Sequence, residues 1–281
     1  MGLGVIPVTV VILAKNEEAA IARCVAAARS FADIVVVDSH STDDTRARAE
    51  RAGARIVPFR WNGAYPKKKE WCLTNTGARF DWLLMLDADE VLTPKLVREI
   101  AGLMRGSPRA RGYFVRGRPV WHGRRLRFGT PNRKLALFDR RYARFPRPDD
   151  LAVTADWPVE MHYQPVIDGP VAGLRHALDH HIDRPLPGLE DRHRFYARWE
   201  AHVRATGDRA RLDGGDRPGR RALKAVFRRL PLRAGIVLML DLVIRLGVLD
   251  GRAGWQRAWL RARYYHWIDR LSRAPDGSTG S

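Results

Sequence analysis

Apolar positions in the first hundred residues follow two alternating patterns. Short uninterrupted runs recur as "VTVVIL" (8–13), "DIVVVDS" (33–39), "ARIVPF" (54–59) and "WLLMLD" (82–87). Between them, "EEAAIARCVAAARS", "DDTRARAERAG", "KKKEWCLTNTGA" and "TPKLVREIAGLM" read as helices, the first with Ile21, Val25 and Ala28 at helical spacing. An apolar run without polar alternation suits a strand covered on both faces. Strands alternating with helices of this length predict an α/β fold: a mostly parallel sheet with helices on both sides. Local punctuation agrees, with Gly53 placed to end a helix, Thr93 to cap the next and Pro94 at its first position.

Polar residues gather where these strands end, which is where open parallel sheets bind ligands. The first strand runs into Ala14, Lys15, Asn16 and Glu17. The second ends at Asp38 before "SHSTDDT", and the fourth ends in "DADE", which holds Asp87, Asp89 and Glu90. Singly, such residues also cap helices and start turns; together they would rim one crevice. Neither a P-loop nor a dinucleotide fingerprint is present, so the phosphates of a bound nucleotide need another device. Asp87 and Asp89, one residue apart beyond a buried strand, suit a hard divalent cation, Mg²⁺ or Mn²⁺, shared with substrate phosphates.

Charge is unevenly spread along the chain. Of the net +19, residues 1–100 contribute almost nothing (14 Lys/Arg against 13 Asp/Glu), whereas residues 101–281 carry 36 against 18. That asymmetry points to an anionic partner: nucleic acid, a membrane surface or a phosphorylated substrate. Arginines interleaved with aromatics in "GRPVWHGRRLRFGTPNRKLALFDRRYARF" could grip nucleic acid, but no recognisable RNA- or DNA-binding motif accompanies them. His176, His180 and His181 match no common zinc spacing, which favours solvated or capping roles. The strongest apolar run, 227–251, is interrupted by Asp241 and Arg245 and is too short to cross a bilayer. It reads as an amphipathic helix lying in the interface, with Arg228, Arg229 and Arg233 toward anionic headgroups. Trp255, Trp259, Tyr264, Tyr265 and Trp267 would form an aromatic belt. Cys24 and Cys72 read as buried thiols, and the first residues lack a basic leader and a cleavage site, which predicts a cytosolic origin.

Three blocks carry a resemblance: "VTVVILAKNEEAAIARCVAAA", "DIVVVDSHSTDDT" and "DWLLMLDADEVLTPKL". They resemble the family 2 glycosyltransferases of GT-A fold, most nearly the bacterial subgroup of lipopolysaccharide core β-glucosyltransferases and exopolysaccharide enzymes, over roughly residues 6–183. The resemblance implies Asn16 and Glu17 near the nucleotide, Asp38 reading the nucleoside, Asp87 and Asp89 on the metal–diphosphate, and Lys69 beside the donor. In "VEMHYQP" the chain departs from the His-Glu pattern of many relatives, and the need for an acceptor-side base assigns Glu160 as catalytic base and His162 as third metal ligand or donor to the diphosphate. If that stretch is extended, the two share a face.

The expected protein is an inverting, metal-dependent glycosyltransferase. It would move a sugar from a nucleotide-diphosphate donor, a UDP-sugar first, to a lipid-linked, lipopolysaccharide or exopolysaccharide acceptor. Its place would be cytoplasmic, peripheral on the inner face of the bacterial cell membrane, with no nucleic acid partner. A polyprenyl-phosphate sugar transferase is the nearest alternative, and a non-enzymatic basic nucleic-acid- or membrane-binding module is the rival from another class. The expected layout is a GT-A catalytic domain over 1–183, a basic amphipathic helical region over 184–273 and a disordered tail over 274–281.

Overall fold

The computed structural model describes residues 4–154, 163–208, 212 and 218–273. The chain forms two compact units. The first comprises Met1–Arg125, Pro131–Phe145 and Gln164–Ile182; the second comprises Leu126–Thr130, Pro146–Tyr163 and Asp183–Ser281.

The first unit is an open α/β sheet. Its strands are β1 (Ile6–Ala14), β2 (Phe31–Asp38), β3 (Arg55–Pro58), β4 (Trp82–Asp87), β5 (Glu90–Val91), β6 (Gly112–Trp121), β7 (Arg124–Arg125), β8 (Asn132–Asp139) and β11 (Val171–Ile182), while β9 (Ala143–Arg144) and β10 (Val166–Ile167) pair separately. The order across the sheet is β3-β2-β1-β4-β8-β6-β11-β5, with β7 on β6. The first four strands are parallel, as the repeated strand–helix pattern predicts. Strand β8 then runs antiparallel between β4 and β6, and β11 returns parallel to β6.

Burial explains the apolar runs. Val10, Ile12, Val36, Leu84 and Leu86 are fully enclosed by α1 (Ile21–Ala27), which supplies Ile21, Cys24 and Val25, and by α4 (Pro94–Arg105), which supplies Leu96 and Ile100. Thr93 Oγ1 accepts the Leu96 amide at 3.3 Å, and Pro94 opens the helix. Gly53 ends α2 (Thr45–Arg51) at φ +98°, where a side chain would be strained. Helix α1 is shorter than its apolar spacing predicts, because the preceding backbone is held elsewhere: the Glu17 amide donates to Thr45 Oγ1 at 2.8 Å and the Glu18 amide to Asp43 at 3.2 Å.

The second unit is helical: α5 (Leu186–Ala205), α6 (Pro218–Arg229), α7 (Arg233–Met239) and α8 (Gly251–Leu271), with a π-helical turn at Leu240–Ile244 and a 3-10 turn at Gly247–Asp250. Trp199 anchors its interior, stacking on Tyr163 and donating its indole N–H to Asp150 at 2.8 Å. Arg233 departs from expectation. It is 3% exposed and paired with Asp269, so it does not face outward toward headgroups. No helix among the described residues is long and apolar enough to cross a membrane.

Candidate active site

Strand register assembles the site. Ala14 of β1 pairs with Asp38 of β2, and Leu13 pairs with Asp87 of β4. The two aspartates therefore flank the end of β1, about 10 Å apart at two strand spacings. Strand β8 runs the other way, with Leu137 opposite Leu84. Three residues forward on β4 and three back on β8 bring Lys134 to Asp87. Its ammonium lies 3.4 Å from Asp87 Oδ2 and donates to Glu90. Strand β11 sets His180 opposite Glu90, and His180 Nε2 lies 3.4 Å from Asp89 Oδ2.

These charges tune one another. Glu90 is buried, which pushes its pKa up despite Lys134; its Oε2 also accepts the Asp87 amide at 2.9 Å. It therefore braces the Asp87 turn, and capping of the next helix falls to Thr93. Burial would raise Asp87, but Lys134, Lys69 and His180 overcome it and hold the carboxyl well below the usual range. Its side chain is 51% exposed, ready for a ligand. Burial opposes charge on His180 as well, yet its bond to Asp89 and the nearby carboxylates raise it to about 9, so it is cationic at neutral pH.

The first two loops are stitched together. Asn16 adopts a left-handed backbone (φ 54°), its amide donates to Ser41 Oγ at 2.9 Å, and its Oδ1 accepts the Thr42 amide at 2.9 Å. Asp38 is 1% exposed and accepts both the amide and the hydroxyl of Ser41. Glu17 is half-buried beside them. Lys67 and Lys68 are both enclosed at the head of α3 (Lys68–Asn75). Lys68 donates to the Ala14 carbonyl at 3.0 Å, and burial lowers its amine to about 8. Lys69 is half-buried and close enough to depress Asp87.

Asn16, Glu17, Asp38, Lys69, Asp87 and Asp89 thus all lie on the carboxyl-end side of the parallel strands. Glu160 and His162 lie outside the described residues. Asp168, a further acidic candidate for the base, precedes β11, whereas His180 sits near the far end of that strand, about 30 Å along it from Val171. Asp168 is therefore remote from the carboxylates.

Lys134 and His180 are the residues that local pattern misses. One signal for Lys134 was available: in a chain with 43 arginines and 7 lysines, it is the only lysine between residues 96 and 223. A compact ammonium suits a slot between two carboxylates better than a planar guanidinium does.

The carboxylates fit a hard divalent cation. Asp89 Oδ1 is buried with no hydrogen-bond partner, an arrangement that is costly unless something else satisfies the oxygen. Both donors are oxygens, as Mg²⁺ or Mn²⁺ prefers. Among the described residues no group of three or more His, Cys, Asp or Glu surrounds a single ion position, so the remaining ligands would come from elsewhere. Cys24 is no candidate, because burial pushes its thiol far up and its Sγ faces the Asp87 carbonyl at 3.8 Å.

Comparison with known proteins bears on this geometry. An uncharacterized glycosyltransferase of Rickettsia typhi is 31% identical over 142 residues, covering 48% of this chain and 47% of that protein. The lipopolysaccharide core biosynthesis glycosyltransferase LpsC of Rhizobium meliloti is 32% identical over 123 residues, covering 42% and 44%. The matches span less than half the length of these relatives. Glucosyl-3-phosphoglycerate synthase of Mycobacterium tuberculosis, solved with Mn²⁺, uridine diphosphate and glucosyl-3-phosphoglycerate, superposes with a TM-score of 0.41 at 19% identity, covering 71% of this chain and 79% of that one. The family model for glycosyl transferase family 2 matches residues 9–151, which contain Asn16, Asp38, Asp87, Asp89 and Lys134. With more than half of its length matched and those side chains collected at the ends of its strands, the chain belongs to glycosyl transferase family 2.

Proposed function

We propose that this protein is an inverting, metal-dependent glycosyltransferase that takes its sugar from a nucleotide-diphosphate donor, a UDP-sugar in the first instance. The observation that carries the reading is the convergence of Asp38, Asp87 and Asp89 with Lys69 and Lys134 at one end of the sheet. Asp38 would accept from the nucleoside, with Asn16 and Glu17 beside it. Asp87 and Asp89 would hold Mg²⁺ or Mn²⁺, which when bound would offset the charge of the departing diphosphate. Lys69 and Lys134 add fixed positive potential at the same place. Glu160 is assigned to take the proton of the acceptor hydroxyl, and His162 to complete the metal site or donate to the diphosphate. The acceptor would be a lipopolysaccharide, as the match to LpsC supports, or an exopolysaccharide or other lipid-linked sugar. The basic helical region, residues 184–273, supports a peripheral position on the inner face of the bacterial cell membrane.

One pair of variants tests the site. Asp89→Asn should keep the fold but lose Mn²⁺-dependent binding of a UDP-sugar in calorimetry, whereas Glu160→Gln should bind donor and metal normally and lose transfer. Native transfer by a folded Asp89→Asn protein sinks the metal assignment. Native transfer by Glu160→Gln sinks the base.

A further inference from the structure

Helix α7 and the π-helical turn that follows are inside out. Their buried stripe is Arg233, Val237 and Asp241, spaced four apart, and its two charges pair with Asp269 and Arg261 of α8. The outward stripe, at alternating spacings of four and three, is Leu232, Ile236, Met239, Val243 and Leu246, exposed by 81, 40, 58, 50 and 48%. A helix facing water carries the opposite arrangement, with apolar residues inward and charge outward. The ends of the stripe sharpen the point. Leu232 and Leu246 both have left-handed backbones (φ 54° and 56°), where a turn in water favours Gly or Asn. A leucine that is both strained and exposed serves something that takes up its side chain.

We propose that this stripe, with Trp255 and Trp259 of α8, is seated in the headgroup–acyl boundary of an anionic bilayer. The two tryptophans are 50% and 54% exposed and have the apolar body and polar N–H that suit such a boundary. Arg245 and Arg252 are exposed along the same segments, and Arg229 is exposed at the end of the preceding α6. A symmetric pairing of two copies would bring a second set of the same cations to the interface and no anion to offset them, whereas anionic headgroups would neutralise them. From Leu232 to Leu246 the stripe runs about 21 Å, short of the ~30 Å hydrocarbon core, so it lies in the boundary and does not cross. The inference rests on the peripheral location proposed above and deepens it, since apolar insertion now holds the protein along with charge.

Flotation of the full-length protein with phosphatidylglycerol/phosphatidylcholine vesicles at low and high salt tests it. The intact protein should remain bound at high salt. A triple variant, Ile236→Ser, Val243→Ser and Leu246→Ser, should bind at low salt but at least tenfold more weakly at high salt. Circular dichroism and thermal unfolding check that the variant is folded. Independently of that variant, brominated lipids should quench the fluorescence of the intact protein, and Trp255→Phe with Trp259→Phe should remove that quenching. Release of the intact protein by high salt, with no quenching, overturns insertion and leaves an electrostatic location standing. Absence of binding at either salt overturns both. A lipid-free dimer that the triple variant dissolves assigns the stripe to a second copy and overturns the proposal.

Discussion

Lys134 is the pivot of the carboxylate cluster, and its removal has a calculable consequence. Its ammonium is the counter-charge of Glu90, whose side chain is 2% exposed. Lys134→Met leaves that carboxylate buried and unpaired, which should cost about 3–5 kcal/mol in urea unfolding. Adding Glu90→Gln should recover most of the loss, because the buried Glu90 carboxylate that Lys134 offset is then gone; strictly additive losses would show that the two residues are not coupled. Lys68 supplies a pH signature. Its amine is lowered to about 8 by burial, only partly offset by Cys72, Asp38 and Asp87, from an ordinary 10.5. Below about pH 8 both folded and unfolded chains hold the proton. Between there and 10.5 the unfolded chain holds a proton that the folded chain has released, so stability rises with pH across this window. Measured against Lys68→Met, the native protein should gain up to about 3 kcal/mol between pH 7.5 and 10 in urea titrations. An unchanged difference would mean that the buried Lys68 holds its proton as strongly as the unfolded chain does.

Elements with their own period are the ones local sequence specifies well. The four strand–helix pairs up to Arg105 each carry an apolar run followed by a helix-length stretch, and Gly53, Thr93 and Pro94 mark ends of the second and fourth helices, so each is recognisable without its neighbours. The ends are decided from outside: α1 starts late because Thr45 and Asp43 of the next loop capture the backbone before it. Close approach between elements is similarly invisible from local pattern. At the start of α8, a Cβ on Gly254 would lie 2.0 Å from the Gly247 carbonyl oxygen, so the helix rests backbone-on-backbone against the 3-10 turn. Gly254→Ala should therefore destabilise by about 1–3 kcal/mol, despite alanine's better helix propensity. Gly235→Ala in α7, where the added methyl meets nothing within 4 Å, should instead stabilise by about 0.5–1 kcal/mol. Thermal unfolding of the two variants separates packing from propensity.

At the scale of the whole molecule, the sequence determined the α/β class, the placement of Asp38, Asp87 and Asp89 at strand ends, and the surplus of positive charge after residue 100. These follow from local pattern, because periodicity, caps and composition are properties of neighbouring residues. Only the tertiary structure decided which distant residues join them. Lys134 and His180 reach the carboxylates because β8 runs antiparallel to β4 and β11 pairs with β5, and pairing partners across 40 to 90 positions leave no periodic trace. The environment of Arg233 was decided the same way. The run 227–251 shows an apolar helix with a few charges, and the amphipathic reading turns its arginines outward toward anionic headgroups. Packing against α8 supplied Asp269 and Arg261 as partners, which turned Arg233 and Asp241 inward and left the leucines outside. A helix has two faces, and which of them is buried depends on what the rest of the chain places beside it.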